Sequence, residues 1–344
     1  MRRALIVLVL VCGAAVSGEA AAAPAPATGY AYGARANTAL VAARLAAAPS
    51  GFTGGPVTAS DGEVVNVYVQ DELLAGDPTT GQRWADILTG LVHGPELSSL
   101  TVYIATLDQV TQTCGTGALG CYANNRLIAI GQDYHGLSAR AVVTHEYGHH
   151  VANNRDNAPW QAVDWGTKRW ATYVGVCRRA KSGELAPGDE SSRYTFNPGE
   201  ALAEDYRLLN ERRLGLPESP WAVVDDSLYP DQTALDLLAL DVTSPWTGNT
   251  SSTYAGSLTT RSSGRGFTVS TPLDGSFSVT LTSPRAARLT LRLVDPATHQ
   301  VLASSTGTGR VKSAAAEVCG QRTLQVQVKR VKGAGAFTLA VSKP

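Results

Sequence analysis

Between residues 62 and 151, hydrophobic and polar positions run in two rhythms. Val64-Val65-Asn66-Val67-Tyr68-Val69 is β-branched and predicts a strand, and residues 100–104 and 126–130 predict two more. Trp84, Ile87, Leu88, Leu91 and Val92 instead recur at helical spacing. A helix is predicted over 138–151, with Ser138 as its N-cap and Val142, Val143, Tyr147 and Val151 marking its apolar faces. Further helices are expected near 160–177, 198–213 and 232–240.

After residue 246 the pattern changes. Residues 246–262 are rich in Ser, Thr and Gly and read as a linker. Short alternating runs follow at 267–269, 276–282, 289–294, 323–329 and 337–341, separated by turn residues, which is the pattern of a small all-β sandwich. All six tryptophans lie between 84 and 246, as one large aromatic-cored domain would require. The expected organisation is therefore an α+β domain with a mixed sheet at 61–245, a linker at 246–262 and a sandwich at 263–344. Residues 24–60 are rich in Ala, Gly and Pro and read as a linker or short pro-segment, with a few helical turns within 38–48.

Composition narrows the setting. The chain has 344 residues, 44% hydrophobic and 17% charged, which suits two folded domains and excludes a multispan membrane protein. Residues 1–23 read as a secretory signal. Arg2 and Arg3 precede an apolar run, Ala4 to Val11, that is too short for a stable membrane span. Cys12 then leaves with the signal, lipidation at Cys12 being the competing reading. Four cysteines remain, and in an exported chain an even number implies disulfides. Cys114 and Cys121 close a short Gly-rich loop and are the favoured pair, which leaves Cys177 with Cys319. The spacing lacks the close cysteine pairs of a zinc-cysteine site. The formal net charge of zero hides an asymmetry: residues 263–344 carry eleven Lys or Arg against three Asp or Glu. That basic segment is a candidate for contact with anionic cell-wall polymers. No nucleic-acid partner and no stable membrane span are expected.

The chemistry concentrates at His145-Glu146-Tyr147-Gly148-His149. Two histidines four apart project from one helix face and can bind one zinc ion, while Glu146, one step around, can reach a metal-bound water. Three of the six histidines fall within 145–150. Two imidazoles on a core-facing helix are costly without partners. A catalytic zinc usually has three protein ligands. Residues 150–156 read His-Val-Ala-Asn-Asn-Arg-Asp, so the third ligand is not supplied by an HExxHxxGxxH run. Fifty residues on, Glu200 and Glu204 in Asn197-Pro198-Gly199-Glu200-Ala201-Leu202-Ala203-Glu204 are again four apart. Glu200 has a rival role: with Asn197 as N-cap and Pro198 at the first helical position, it sits where a capping-box glutamate would. Glu204 and Asp205 are the reserve ligands. His150 and Tyr147 are read as packing residues, and His93, His135 and His299 as structural.

The two motifs together resemble the gluzincin class of zinc peptidases, in which HExxH is followed by a glutamate on a second helix. The Glu-x-x-Ala-Glu run with Tyr194 before it is similar to lethal-factor-type metalloproteases. The resemblance implies a zincin-like catalytic domain, with Glu200 as third zinc ligand, Glu204 bracing a zinc-binding histidine and Tyr194 stabilising the oxyanion. Where the thermolysin-like form has Asn-Glu-x-x-x-Asp, this chain has Gly199 and Glu204. The resemblance further implies that the run 124–131 is an edge strand that pairs with extended substrate, the competing reading being an ordinary strand of the sheet. The C-terminal layout, with its closing Gly335-to-Val341 strand, resembles the bacterial pre-peptidase C-terminal type of domain. The expected function is that of a secreted zinc-dependent endopeptidase with Glu146 as general base. The alternatives are a non-catalytic zinc-containing surface or cell-wall binding protein, and a zinc amidase acting on non-peptide wall amides.

Overall fold

The computed structural model describes residues 38–46 and 49–344, so the expected signal at 1–23 lies outside the described residues. Five strands form the first sheet: β1 (Phe52–Thr58), β2 (Val64–Gln70), β3 (Thr101–Ala105), β4 (Gly120–Ala123) and β5 (Arg126–Ile130). Their spatial order is β1-β2-β3-β5-β4. β2, β3 and β5 run parallel, and β1 and β4 flank them antiparallel, so the sheet is mixed. β3 and β5 are apolar on both faces, as the covered centre of a parallel sheet requires.

This order rules out the edge-strand reading of the run 124–131 and leaves the ordinary sheet strand. β5, within the run 124–131, lies between β3 and β4, and β4 is outermost. Asn124 and Asn125 both adopt positive φ, 50° and 62°, the conformation a two-residue hairpin turn needs, and they fold β5 back along β4. The described part of the stretch read as linker or pro-segment is also structured. α1 (Thr38–Ala46) buries Val41 and Leu45 against the sheet, and Arg44 donates to the carbonyls of Gln112 and Thr113 at 2.7 and 2.9 Å. β1 pairs along the whole of β2.

The remaining helices are α2 (Asp71–Gly76), α3 (Thr80–Thr89), α4 (Leu107–Cys114), α5 (Ala139–Asn153), α6 (Ala162–Trp165), α7 (Lys168–Val174), α8 (Val176–Lys181), α9 (Pro198–Arg213) and α10 (Gln232–Thr243). Ser138 caps α5 as expected, accepting from Ala141 N at 3.0 Å. α5 packs on β4 and β5 with one side and on α9 with the other, which explains why nearly all of its residues are buried. The segment 160–177 is not one helix. A hairpin of β6 (Asp156–Asn157) and β7 (Trp160–Gln161) precedes α6, and positive φ at Gly166 and Gly175 ends α6 and α7 in turn.

The C-terminal part holds two antiparallel four-stranded sheets. One has the order β13 (Val311–Val318), β10 (Gly275–Thr282), β15 (Gly335–Lys343), β8 (Thr250–Leu258). The other has the order β12 (Val301–Ser305), β11 (Arg288–Val294), β14 (Thr323–Lys332), β9 (Gly264–Ser270). Phe277, Leu291, Val326 and Leu339 lie in the apolar core between them. β8 starts inside the stretch read as linker. Its Gly256 stands where a Cβ would meet the Phe337 ring at 2.4 Å, so a linker-like residue here makes room for an aromatic one.

Cysteines 114 and 121 are bonded, as are 177 and 319, the two pairs expected. The second bond joins α8 to the sandwich. Beside it, the Asp274 amide donates to Thr172 Oγ1 at 3.0 Å, and Lys181 pairs with Glu317 at 3.5 Å. Lys168 is buried at this junction, donates to the Ala158 carbonyl at 2.7 Å and lies 4.3 Å from the Trp246 ring. Among the described residues, no helix is long and apolar enough to cross a membrane.

Candidate metal centre

The site is assembled where α5 crosses α9. Gly148 sets their separation: a Cβ there would stand 2.8 Å from Ala203 Cα and 3.2 Å from Ala203 O. The close approach brings His145 and His149 of α5 opposite Glu200 of α9. Glu200 Oε2 is 3.3 Å from His145 Nε2 and 3.4 Å from His149 Nε2. One ligand atom from each of the three residues lies within 4.8 Å of the others, so the buried group could hold a metal ion. Glu200 Oε1 is buried with no hydrogen-bond partner, an arrangement that a cation would relieve and that is otherwise costly. Two imidazole nitrogens and a carboxylate oxygen are a donor set suited to a divalent metal ion.

The rival role for Glu200 fails on geometry. Asn197 caps α9 itself, its Oδ1 accepting from Gly199 N at 3.0 Å and from Gly188 N at 3.1 Å. The Asn197 amide donates to the Tyr194 carbonyl at 3.0 Å, so no side chain is needed to return to it. Glu200 is left to face the histidines. Gly199, which stands where the thermolysin-like motif has Asn, is enclosed by the backbone: a Cβ would lie 2.3 Å from the Val163 carbonyl of α6.

The reserve ligands have other partners. Glu204 Oε1 is 3.1 Å from His145 Nδ1. A carboxylate only accepts, so Nδ1 carries the hydrogen and Nε2 faces the site. The other Glu204 oxygen receives two bonds from the guanidinium of Arg207, from Nε at 2.8 Å and from Nη2. Arg207 also donates to Glu211 at 2.6 Å, and Glu211 Oε1 accepts from the Ser219 hydroxyl at 2.7 Å. Asp205 points away from the metal donors and accepts from Trp170 Nε1 at 2.6 Å. Neither Arg207 nor Trp170 was singled out from sequence. The i, i+3 and i, i+4 spacing of Glu204, Arg207 and Glu211 was a legible signal, whereas nothing marked Trp170.

Burial and neighbouring charges compete inside this cluster. Burial pulls the His145 imidazole down, but Glu200 and Glu204 outweigh it and lift the pKa to about 10. Burial alone would raise Glu200, yet the two histidines hold it well below the ordinary carboxyl range. Glu204 is likewise lowered against burial, first by Arg207 and then by His145. Asp205 is raised well above its ordinary value by burial.

Glu146 projects toward β4. A Cβ on Gly120 would meet its Cγ at 2.9 Å and Oε1 at 3.0 Å, so the glycine of the outermost strand makes room for this carboxylate. Tyr194, in a short turn before Asn197, donates to Glu200 Oε2 at 2.7 Å, so its hydroxyl lies at the third donor. His150 is structural: Nε2 lies 2.8 Å from the Glu96 carbonyl and Nδ1 3.2 Å from the Tyr122 hydroxyl. His135 and His299 occupy positive-φ turn positions, and His93 lies beside the Gly94 carbonyl.

No protein-family model matches this sequence, and no curated protein does. Solved structures give weak likenesses. The pre-peptidase C-terminal domain of a collagenase from Bacillus anthracis is 17% identical over 26% of this chain and 87% of its own, with a TM-score of 0.23. The SPBc2 prophage-derived protein YomS is 14% identical over 28% of this chain and 97% of its own, at 0.20. A family GH115 4-O-methyl-alpha-glucuronidase is 11% identical over 60% of this chain and 39% of its own, at 0.19. None of these reaches the level that shows a shared fold.

Proposed function

We propose that the protein is a zinc-dependent endopeptidase with a zincin-like catalytic unit, working outside the cell. The observation that carries this reading is the convergence of His145, His149 and Glu200 on one point, with Glu146 on the same helix and turned to the outermost strand. The two disulfides suit an oxidising compartment. A nitrogen-rich site with one carboxylate fits zinc better than magnesium or calcium, which favour all-oxygen sites.

A bound zinc ion supplies Lewis acidity, which makes water a nucleophile near neutral pH and polarises the scissile carbonyl. Glu146 takes the proton that water gives up and delivers it to the leaving amine nitrogen. Glu204 holds the His145 ring through Nδ1, and Arg207 holds Glu204. The substrate lies extended along β4. The register with β5 turns the main-chain groups of Gly120 and Tyr122 outward, and Gly120 brings that edge against Glu146. Tyr194 stabilises the developing oxyanion by exchanging Glu200 for the substrate oxygen.

The test is Glu146→Gln beside Glu200→Ala, assayed for bound zinc and for cleavage of a proteome-derived peptide library. Glu146→Gln should keep stoichiometric zinc and lose turnover, and Glu200→Ala should lose zinc. Full turnover by Glu146→Gln sinks the mechanism. Absence of peptide cleavage by the zinc-loaded wild type would favour a binding protein or an amidase.

A further inference from the structure

The two outer faces of the sandwich differ in charge. Residues 250–344 carry twelve Lys or Arg. On the sheet β13-β10-β15-β8, the outward positions are Ser, Thr, Ala and similar neutral residues, such as Ser278, Thr280, Thr338 and Ala340, together with Glu317 and with no Lys or Arg among them. On the sheet β12-β11-β14-β9 the outward positions carry cations. Arg288 pairs across the ladder with Lys332, Thr290 with Lys329, and Arg292 with Gln327. Leu289, Leu291, Val326 and Val328 point inward, which turns Arg288, Thr290, Arg292, Gln327 and Lys329 outward, and the register shift between Arg288 and Leu289 brings Lys332 opposite Arg288. Arg288, Lys329 and Lys332 are exposed and Arg292 is half-buried.

The carboxylates lie elsewhere. The sandwich has three. Asp274 is held by Arg322 at 2.8 Å, Glu317 pairs with Lys181 of the catalytic unit, and Asp295 is buried past the end of β11. A surface charged only for solubility intersperses both signs. This face collects four cations without a carboxylate, leaving a positive potential with no internal counter-charge.

We infer that the β12-β11-β14-β9 face binds a linear anionic polysaccharide, a sugar chain bearing carboxylate, sulfate or phosphate groups. The cations supply attraction and steering. Gln325, Gln327, Thr290 and Thr268 on the same face supply the neutral donors and acceptors that sugar hydroxyls need. A single-stranded nucleic acid would need aromatic stacking platforms, and the aromatic residues of these strands point inward: Phe267 packs in the sandwich core. A lipid surface would need an apolar wedge, and the centre of the face has none. The inference is independent of the peptidase reading, because it concerns binding alone.

The experiment uses the full chain. Binding to dextran sulfate and to polygalacturonate is measured at rising salt, with neutral dextran, anionic phospholipid vesicles and single-stranded DNA alongside. The variant is R288Q/R292Q/K329Q/K332Q. A charge-matched control removes Arg83, Lys181, Arg212 and Arg213 of the catalytic unit. The inference expects salt-sensitive binding to both anionic polysaccharides, none to neutral dextran, and at least a tenfold loss in the quadruple variant but not in the control. The single variants R292Q and K329Q, each expected to weaken binding severalfold, carry the test if the quadruple variant does not fold. Equal losses in variant and control, no binding by the wild type, or tighter binding to vesicles or DNA would overturn it.

Discussion

The separation of α5 and α9 depends on one missing methyl group, and Gly148→Ala tests this. Carbon atoms in van der Waals contact stand about 3.5 Å apart, whereas the new Cβ would lie 2.8 Å from Ala203 Cα. The obstructing atom is backbone, so the helices must part by about 0.7 Å at this point. Alanine gains about 1 kcal/mol of helix propensity over glycine. Overpacking costs about 1–3 kcal/mol, and an unyielding backbone neighbour places this case near the upper end. The expected net loss is about 1–2 kcal/mol, or roughly 2–8 °C in Tm for a unit of this size. The same displacement moves Glu200 away from His145 and His149, although metal donors tolerate only about 0.2 Å. Zinc affinity should therefore fall at least tenfold. Gly81 of α3 is the control: nothing lies within 4 Å of its Cβ position, so Gly81→Ala should add about 0.4–1 kcal/mol and leave zinc binding unchanged. Thermal melts and zinc titrations of both variants decide the matter. The reasoning fails if Gly148→Ala melts at or above wild type, or binds zinc as tightly.

Further predictions concern the buried charges. Glu204→Ala strands the Arg207 guanidinium in the interior and should cost about 3–5 kcal/mol. Glu204→Ala/Arg207→Met should cost less than the two single changes summed, and additive losses in denaturant melts would count against a coupled pair. Asp205 has a raised folded pKa, so its contribution to stability is complete below the unfolded value of 3.8 and is lost as pH rises toward the folded one. Asp205→Asn should match wild type near pH 3.8 and exceed it at neutral pH; identical pH–stability curves would exclude a raised pKa. Lys168 is lowered to about 8 by burial, against the pull of Asp274 and Asp241. Its charge opposes folding below that pH, so wild-type stability should gain on Lys168→Met as pH rises from about 8 toward 10.5. Parallel curves over that window would refute it.

The metal-donor helices were legible because their information is local. His145 and His149 share a face by spacing alone, and Ser138 and Asn197 announce where each helix starts. The capping alternative for Glu200 could not be settled from sequence, since it turned on where the Asn197 amide and the two histidines lie in space. The misread segments share a different cause. β1 contains Gly54, Gly55 and Pro56, and β8 is mostly Ser, Thr and Gly, so both have the composition of linkers. Their glycines answer to neighbours remote in sequence: Gly54 sits against the Val67 carbonyl and Gly256 under the Phe337 ring. β4 has only four residues, one of them the bonded Cys121, too few to show a period, and missing it moved the sheet edge by one strand. Arg207 and Glu211 read as ordinary surface helix charges until the tertiary fold encloses them.

The bond between Cys177 and Cys319 spans 142 residues of sequence and turns most of α9, α10 and the sandwich into part of one covalent ring. A single cut in such a ring opens it without releasing a piece. On the proposed peptidase function, the connecting segment 244–249 is then a tolerable target for other copies of the chain. A molecule nicked there keeps its sandwich, and fragments separate on a denaturing gel only once the sample is reduced. Integrity after such a cut thus resides in the topology of the chain and not in the sequence of the segment that is cut.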